Sequence, residues 1–402
     1  MNITKATLDY IREHRNENVR TLALKGQRSA DVDLTFALQQ IDGWQRARTK
    51  LPMWAEHEGI IFPPHISMEQ CSSEHTARYK ADNILPDEMD VFVDLTGGFG
   101  VDFSYMSRRA KKAIYVEQQE HLCHIAEHNF EALGMTNVEV VNKDAIEVLK
   151  SLPPKSVGKR TVIYLDPARR DINGRKTYAI SDCTPDIVSL WPLLQEKTDE
   201  IGIKLSPMLD YHEALRLLPG ISEVHIVSVK NECKELLLRS PHPTSPRGGE
   251  KTVLYCVNDS ETFVTSIPSS TPVLTLPEPV EVGNYILLPN ASVMKAGCWG
   301  DLCERFGVEA LSNDSHIFCA KNADSIDNFP GKPFIVHAVC SMNKRELKQT
   351  MAGITHANIA VRNFPLSTDE LRKRLKVKDG GEWYIFGTTV MEQHTLLLCK
   401  KS

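Results

Sequence analysis

The segment from Val91 to Asp102 constrains the fold more than any other part of this 402-residue chain. It reads Val-Phe-Val-Asp-Leu-Thr-Gly-Gly-Phe-Gly-Val-Asp, so three β-favouring residues run into a loop with three glycines. The residues from Phe103 onward are typical of a helix. Glycines in such a loop let a ligand lie against bare backbone, and the start of a helix faces a negative group. This strand–loop–helix unit predicts a ligand site at one edge of a sheet.

Strands and helices are expected to alternate from about residue 86 to residue 265. The predicted strands are 91–94, 113–117, 138–142, 161–166, 201–205, 225–230 and 251–257. This alternation predicts an α/β fold with an open, largely parallel sheet and helices on both faces. The connection at 240–250 is rich in Pro, Gly and charge and is too short for a crossover helix. We therefore expect the last two strands to form an antiparallel hairpin.

The two ends of the chain have different patterns. Residues 1–85 are expected to be mostly helical, with Asp33 or Asp31 capping a helix whose apolar residues repeat from Leu34. Residues 258–283 are rich in Ser, Thr and Pro and are expected to be a connector. A small mixed unit follows, then alternating strands and basic helices, and finally two strands around 379–381. The expected domains are 1–85, 86–265, 275–328 and 329–402.

Composition narrows the class of protein. Hydrophobic residues make up 42% of the chain and charged residues 25%, which is usual for a folded soluble protein. No apolar run approaches the roughly 20 residues that span a bilayer, and the first residues do not form a secretory signal. The ten cysteines include no Cys-x-x-Cys pair, which argues against disulfides and zinc. We expect a cytoplasmic protein with no bound metal and no membrane partner.

Charge is distributed unevenly along the chain. After residue 330 there are 12 Lys and Arg against 6 Asp and Glu, whereas the preceding part is strongly acidic. A basic C-terminal module on an acidic body indicates a polyanionic partner such as nucleic acid. A solvated charged surface explains the same pattern equally well.

The glycine loop and the next strand end indicate a nucleoside cofactor. Gly98 and Gly100 fit the first two positions of a dinucleotide fingerprint, but Phe103 occupies the third. A smaller cofactor such as S-adenosylmethionine needs only the tight turn and exposed backbone. Glu117, which ends the second strand, could accept hydrogen bonds from ribose hydroxyls. Asp144 follows the third strand and could accept from an adenine amino group.

An Asp166-Pro167 pair ends the fourth predicted strand and faces the same edge of the sheet. The carboxylate and the prolyl carbonyl could hold an exocyclic amine by its two hydrogens, and Arg169 could grip a phosphate or the base. Lys204, near the end of the fifth strand, is expected to line the substrate entrance. The alternative is that Asp166 caps a helix and the arginines after it are surface charges.

These residues resemble, in order, the cofactor and catalytic motifs of class I S-adenosylmethionine-dependent methyltransferases. From Tyr285 through Arg362-Asn-Phe-Pro-Leu366 the chain resembles the bacterial THUMP-like methyltransferases, and the resemblance covers roughly residues 70–402. It implies a seven-stranded Rossmann-like methyltransferase sheet, followed by small ferredoxin-like and THUMP-like α+β domains. With the N-terminal helices, this is the fold that we expect.

The resemblance also implies a role for each matching residue. The cofactor site comprises Asp94, Thr96, Gly97, Gly98, Gly100, Glu117, Asp144 and Ala145, whose small side chain leaves room for the adenine ring. The catalytic site comprises Asp166, Pro167 and Arg169. Two departures stand out. Thr96 replaces a glycine that many class I enzymes have, and Ala168-Arg169 replaces a proline and an aromatic residue that stacks on a flipped base.

The favoured hypothesis is a methyltransferase acting on structured RNA, tRNA or rRNA, at a guanine amino group. Basic residues on two C-terminal helices are expected to contact phosphates, which gives affinity without sequence information. These residues are Lys344, Arg345, Lys348, Arg372, Lys373 and Arg374. The alternatives are a non-catalytic RNA-binding protein on a methyltransferase scaffold, a small-molecule methyltransferase, and an oxidoreductase, which Phe103 disfavours. A monomer is compatible with the sequence.

Overall fold

A computed structural model describes residues 3–26, 30–156, 158–168, 179–198, 200–240 and 251–402. The helices are α1 Lys5–His14, α2 Val19–Lys25, α3 Leu34–Lys50, α4 Pro52–Glu56, α5 His65–Gln70, α6 Glu74–Asn83, α7 Val101–Met106, α8 Glu120–Ala132, α9 Ala145–Ser151, α10 Ile187–Lys197, α11 Tyr211–Leu217, α12 Ala291–Ala296, α13 Trp299–Phe306, α14 Lys344–Thr350 and α15 Thr368–Leu375. The strands are β1 Met89–Asp94, β2 Ala110–Glu117, β3 Val138–Asn142, β4 Thr161–Leu165, β5 Glu200–Leu205, β6 Glu223–Val229, β7 Glu232–Ser240, β8 Thr252–Asn258, β9 Glu261–Ile267, β10 Tyr285–Pro289, β11 Glu309–Ala310, β12 Phe318–Ala320, β13 Gly331–Ser341, β14 Asn358–Val361, β15 Tyr384–Val390 and β16 Gln393–Lys401.

The chain divides into two compact units. The first comprises Met1–Val224 and Glu235–Glu250, and the second comprises His225–Lys234 and Lys251–Ser402.

The first unit contains the predicted α/β sheet. Its strands lie in the order β3-β2-β1-β4-β5-β7, with β1 to β5 parallel and β7 antiparallel to β5. From β1 the chain runs outward through β2 and β3, and it then returns to β4 on the other side of β1. The switch point between β1 and β4, where the strand order reverses, is where open α/β sheets bind ligands. The fold class expected from the sequence is confirmed.

The N-terminal helices share one apolar core with this sheet. Trp54 of α4 is fully buried and packs on Phe99 of the glycine loop, with ring centroids 4.9 Å apart. Gln40 of α3 accepts a hydrogen bond from the Phe62 amide at 2.8 Å. Asp33 caps α3 by accepting from the Phe36 amide at 3.0 Å, as predicted. The helices of residues 1–85 therefore belong to the first unit and share its apolar core.

The second unit is built on a seven-stranded sheet in the order β11-β12-β10-β13-β16-β15-β14. Its pairs are antiparallel except β14 with β15. Neighbouring residues of a strand face opposite sides, and Ile385 and Phe386 of β15 accordingly belong to two separate apolar clusters. Leu371 of α15 belongs to the cluster of Ile385, so this helix covers one face of the sheet.

Two expectations about strand connections need correction. The strands at 225–230 and 251–257 are neighbours in the sheet, as expected, but they do not form a hairpin. The strand β7 comes between them in sequence, after a tight turn at Lys230 and Asn231, both at positive φ. The two strands expected around 379–381 both follow these residues, and β15 and β16 form an antiparallel hairpin. It turns at Met391 and Glu392, again both at positive φ, which is the geometry of a two-residue hairpin turn made here without glycine.

The expected connector at 258–283 and the expected single helix near 291–306 also need correction. The former begins with β9, which pairs antiparallel with β8. The latter is split into α12 and α13, because Gly297 ends α12 in the left-handed conformation. The β-favouring residues of β9 are interleaved with Thr and Ser, which hid the strand pattern.

Candidate active site

The glycine loop needs glycine at three positions for different reasons. A Cβ on Gly97 would lie 2.2 Å from a ring carbon of Tyr115, so only glycine allows the loop to pass over that ring. Gly98 and Gly100 have φ of 56° and 85°, which favour glycine. A Cβ on Gly100 would also lie 2.8 Å from the Phe130 ring. The loop backbone is therefore bare, as a close-lying ligand requires.

Phe103 explains why the third glycine of a dinucleotide fingerprint is missing. Its side chain is fully buried and packs against three other rings. The centroid distances are 5.8 Å to Phe92, 5.5 Å to Tyr115 and 5.0 Å to Phe130. Helix α7 is therefore spaced from the sheet by an aromatic cluster rather than packed closely through a glycine.

The four predicted carboxylates lie at the same edge of the sheet. Asp94 ends β1 and Glu117 ends β2, while Asp144 and Asp166 follow β3 and β4. Because these strands are parallel, all four residues lie at the carboxyl ends of the strands. The structure thus places them at one edge of the sheet, as predicted.

Asp94 is the most deeply buried of the four, with 1% of its surface exposed. Its Oδ1 accepts a hydrogen bond from the Thr96 amide at 2.9 Å. Burial raises the pKa of Asp94 to about 8, and the nearby carboxylates of Asp102, Asp166 and Glu117 raise it further. An acid with this pKa is largely protonated at neutral pH, and a cation bound next to Asp94 would favour its ionised form.

Glu117 and Asp144 each bind backbone amides. Glu117, which is 8% exposed, accepts from the Gly98 amide at 3.0 Å and from the Gln119 amide at 2.9 Å, one bond to each oxygen. A carboxylate has about four acceptor sites, so Glu117 can still accept from a ligand hydroxyl. Asp144 is exposed and caps α9 through Oδ1, next to the half-buried Ala145.

Thr96 connects the glycine loop to the predicted acceptor motif. Its Oγ1 accepts a hydrogen bond from the Asp166 amide at 2.6 Å and lies 3.4 Å from Oδ1 of Asp94. Glycine at this position could make neither contact, so the departure from the family pattern has a structural reason. Pro167 is buried after Asp166. The predicted Arg169 lies outside the described residues.

Asp166 forms an ion pair with Lys204 of β5, through Oδ2 and Nζ. The Asp166 side chain is 36% exposed and the Lys204 side chain 12%. Burial raises the pKa of Asp166 while Lys204 opposes the rise, and solvent access to this side chain limits the shift. Burial by itself lowers the pKa of Lys204, but Asp166, Glu235 and Asp102 outweigh it, so that the pKa lies above its ordinary value.

A second buried charge cluster, which sequence reasoning missed, lies beside this pair. Lys80 of α6 has no exposed surface, and its Nζ lies 2.5 Å from Oε2 of Glu235 and 3.2 Å from Oδ1 of Asp102. Ser72 donates to the Asp102 carboxylate at 2.8 Å. The Tyr164 hydroxyl donates to the same carboxylate at 3.1 Å. Lys80 gave no sequence signal, because a lysine in a polar helix usually faces solvent.

The described ranges contain few other features with a chemical role. An open cleft of about 580 Å³ is lined by Ser107, Arg108 and Asn137 among others, at the amino ends of β2 and β3, opposite the glycine loop. No cluster of three or more metal-ligating side chains occurs in these ranges. Within the same ranges, no helix combines the length and apolar character needed to cross a membrane.

The predicted RNA-contacting residues lie on α14 and α15 of the second unit. Five of the six are exposed, namely Lys344, Arg345, Lys348, Lys373 and Arg374. Arg372 differs, since its guanidinium lies 3.1 Å from Asp369 and 2.7 Å from Asp379 and only 26% of its side chain is exposed. Two carboxylates offset its charge, so Arg372 is better placed to hold α15 than to bind a phosphate.

Three family descriptions match consecutive parts of this chain. Residues 77–176 match "Conserved hypothetical protein 95", residues 285–330 match a ferredoxin-like domain, and residues 331–401 match "THUMP domain-like". Among curated proteins, none has significant sequence similarity to the chain.

One solved structure matches the chain over nearly its whole length. An inferred methyltransferase from Porphyromonas gingivalis W83 is 31% identical, with a TM-score of 0.83 over 99% of this chain and 98% of its own. An rRNA methylase from Streptococcus thermophilus is 13% identical over 42% of this chain and 95% of its own, with a TM-score of 0.30. A Streptococcus mutans protein solved with SAH is 15% identical over 41% and 94%, also with a TM-score of 0.30. On the full-length match, this chain belongs to the bacterial THUMP-like class I methyltransferase family.

Proposed function

We propose that this protein transfers a methyl group from S-adenosylmethionine to structured RNA, tRNA or rRNA, at a guanine amino group. The main support for this proposal is the set of carboxylates around the glycine loop at the switch point of the sheet. S-adenosylmethionine is cationic at its sulfonium and amino groups, and the buried, largely protonated Asp94 is suited to a ligand that brings positive charge. A dinucleotide, with its anionic pyrophosphate, would be repelled by the same carboxylates.

Each residue of the cofactor site has a distinct task in this proposal. The backbone at Gly98 and Gly100 lies against the methionine end, and the positive φ of both glycines lets the loop turn there. Glu117 accepts from the ribose hydroxyls with the lone pairs that the Gly98 and Gln119 amides leave free. Asp144 accepts from the adenine amino group through Oδ2, because Oδ1 caps α9. Bound S-adenosylmethionine supplies the electrophilic methyl group.

The acceptor side of the site rests on Asp166 and Pro167. The Asp166 carboxylate and the Pro167 carbonyl are both acceptors, and together they can hold a nitrogen by its hydrogens and orient its lone pair. The Thr96 hydroxyl holds the backbone of Asp166 against the glycine loop. Most of the rate enhancement would then come from positioning the two reactants.

RNA as the substrate class is supported by the second unit. Exposed cations on α14 and α15 give it a surface that could bind phosphates without reading sequence, and they lie in the segment after residue 330, where 12 Lys and Arg stand against 6 Asp and Glu. The THUMP-like match covers the same residues. A small-molecule substrate would leave this basic surface without a role.

The test combines cofactor binding with methyl transfer. Calorimetry should detect S-adenosylmethionine binding to the wild-type protein, and tritiated cofactor should label RNA from a strain that lacks the gene. Asp166→Ala should lose transfer and keep cofactor binding, since Asp166 faces the acceptor. Asp90→Ala is the matched control, because Asp90 lies near the opposite end of β1. Transfer by Asp166→Ala at the wild-type rate would remove Asp166 from the acceptor site.

A further inference from the structure

Lys204 lies where it can control the acceptor carboxylate directly. In the register of the parallel strands, Leu165 of β4 pairs with Ile203 of β5. Asp166, the first residue after β4, and Lys204 of β5 therefore lie side by side. Lys204 is mostly buried, whereas the Asp166 side chain is partly exposed. The ion pair thus has a buried cation and a solvent-accessible carboxylate.

The charges around this pair make Lys204 the cation assigned to Asp166. Among the described residues, the groups that interact electrostatically with Asp166 or Lys204 include Asp94, Asp102, Glu235, Lys80, Tyr164 and Cys71. Of these, Lys80 is the other cation, and it lies against Asp102 and Glu235. Asp102 and Glu235 thus share Lys80, whereas among the described residues Asp166 receives its ion pair from Lys204.

We propose that Lys204 is a positioning residue that keeps Asp166 charged and holds its Oδ2, so that Oδ1 alone receives the methyl-accepting group. This inference rests on the proposed function. An ionised carboxylate accepts hydrogen bonds and cannot donate one. The acceptor atom must therefore carry a hydrogen when it binds, as an amino, imino or hydroxyl group does, and a group that is already deprotonated is excluded by repulsion from Oδ1.

The first measurement needs no substrate. The Asp166 carboxyl is titrated by carbon-13 NMR in protein labelled at aspartate, with Asp166→Asn used to assign its signal. Removing an opposite charge at this distance raises a carboxyl pKa by about 1–3 units, so Lys204→Met should move the midpoint upward by that amount. Lys204→Arg should restore it. The control is Lys112→Met, which breaks an exposed ion pair with Glu139 and should leave the Asp166 titration unchanged.

The second measurement is the pH profile of methyl transfer to RNA. The pKa that describes the acidic limb of the kcat/KM profile should increase in Lys204→Met by as many pH units as the NMR midpoint. In Lys204→Arg it should return to the wild-type value. Affinity for S-adenosylmethionine should be kept or increased, because one positive charge leaves a site for a cationic ligand. Lys204→Gln, which keeps a polar tip, replaces the methionine variant if that variant does not fold.

The outcomes separate this inference from the proposed function. An unchanged Asp166 titration in the neutral variants, or a wild-type acidic limb in an active Lys204→Met, overturns the role of Lys204 alone. Equal loss of transfer and cofactor binding in all Lys204 variants would mean a structural role and also overturns it. A wild-type protein that binds no S-adenosylmethionine or labels no RNA overturns the proposed function, whatever the titration shows.

Discussion

Replacing Asp94 by Asn is expected to stabilise the cofactor-free protein, and the gain should grow with pH. The pKa of Asp94 is raised from 3.8 to about 8 in the folded protein. Between these values the folded state keeps a proton that the unfolded chain has lost, so wild-type stability falls as pH rises. Asn is uncharged throughout and similar in size, and its Oδ1 can still accept from the Thr96 amide. The variant therefore avoids a penalty that the wild type carries.

The size of the gain follows from 1.36 kcal/mol per pKa unit. The difference in unfolding free energy between variant and wild type should be near zero below pH 4 and about 4 kcal/mol at pH 7. Above pH 8 it should level off at about 6 kcal/mol, which is an upper figure because buried groups relax. Cofactor affinity should change in the opposite direction, since Asn offers no negative charge to a cationic ligand.

Urea unfolding of wild type and variant between pH 4 and pH 9 measures the difference. Calorimetry in two buffers of different ionisation enthalpy adds a second test, because a cation that ionises Asp94 on binding should release a proton near pH 7 in the wild type and none in the variant. If the two unfolding curves run parallel over the whole pH range, Asp94 is already ionised in the free protein. The electrostatic case for a cationic cofactor would then fail.

Three further changes test other parts of the structure. Gly97→Ala places a methyl group within the Tyr115 ring and should cost about 1–3 kcal/mol, lower the melting temperature and abolish cofactor binding; normal binding would show that the loop can shift. Lys80→Met leaves the buried carboxylates of Asp102 and Glu235 without their cation and should lower the free energy of unfolding by about 3–5 kcal/mol at pH 7. Part of this stability should return in acid, where the carboxylates are protonated, and an equal loss at every pH would contradict the prediction. Replacing three cations of α14 by Ala should reduce the slope of log affinity for RNA against log salt by about 2–3, whereas Arg372→Ala should leave it nearly unchanged. The three are Lys344, Arg345 and Lys348.

Local patterns in the sequence predicted the first five strands, because each is a short run of β-favouring residues that can be recognised without knowing which residues it contacts. The strand before the glycine loop is a run of β-favouring residues, and Glu117 and Asp166 come at or just after strand ends, where parallel topology places functional groups. The edge that these residues share follows from topology alone. The glycine loop could therefore be located without knowing any tertiary contact.

The missed features depend on long-range packing or on unusual turns. β7 begins with alternating charges, and its buried half, Leu236–Leu238, becomes a strand only where it pairs with β5. Lys80 is buried because Asp102 and Glu235, distant in sequence, converge on it. The turns that join β6 to β7 and β15 to β16 use non-glycine residues at positive φ, so no glycine marks them.

Thr96 couples the glycine loop to the end of β4. Its hydroxyl accepts a hydrogen bond from the Asp166 amide, and its own amide donates one to Asp94. If a ligand at the glycine loop changes the affinity of the Asp166 end for a second ligand, the second ligand changes the affinity of the loop by the same factor, since linkage is reciprocal. Under the proposed function, coupling between donor and acceptor binding would then need no moving lid, only one shared residue.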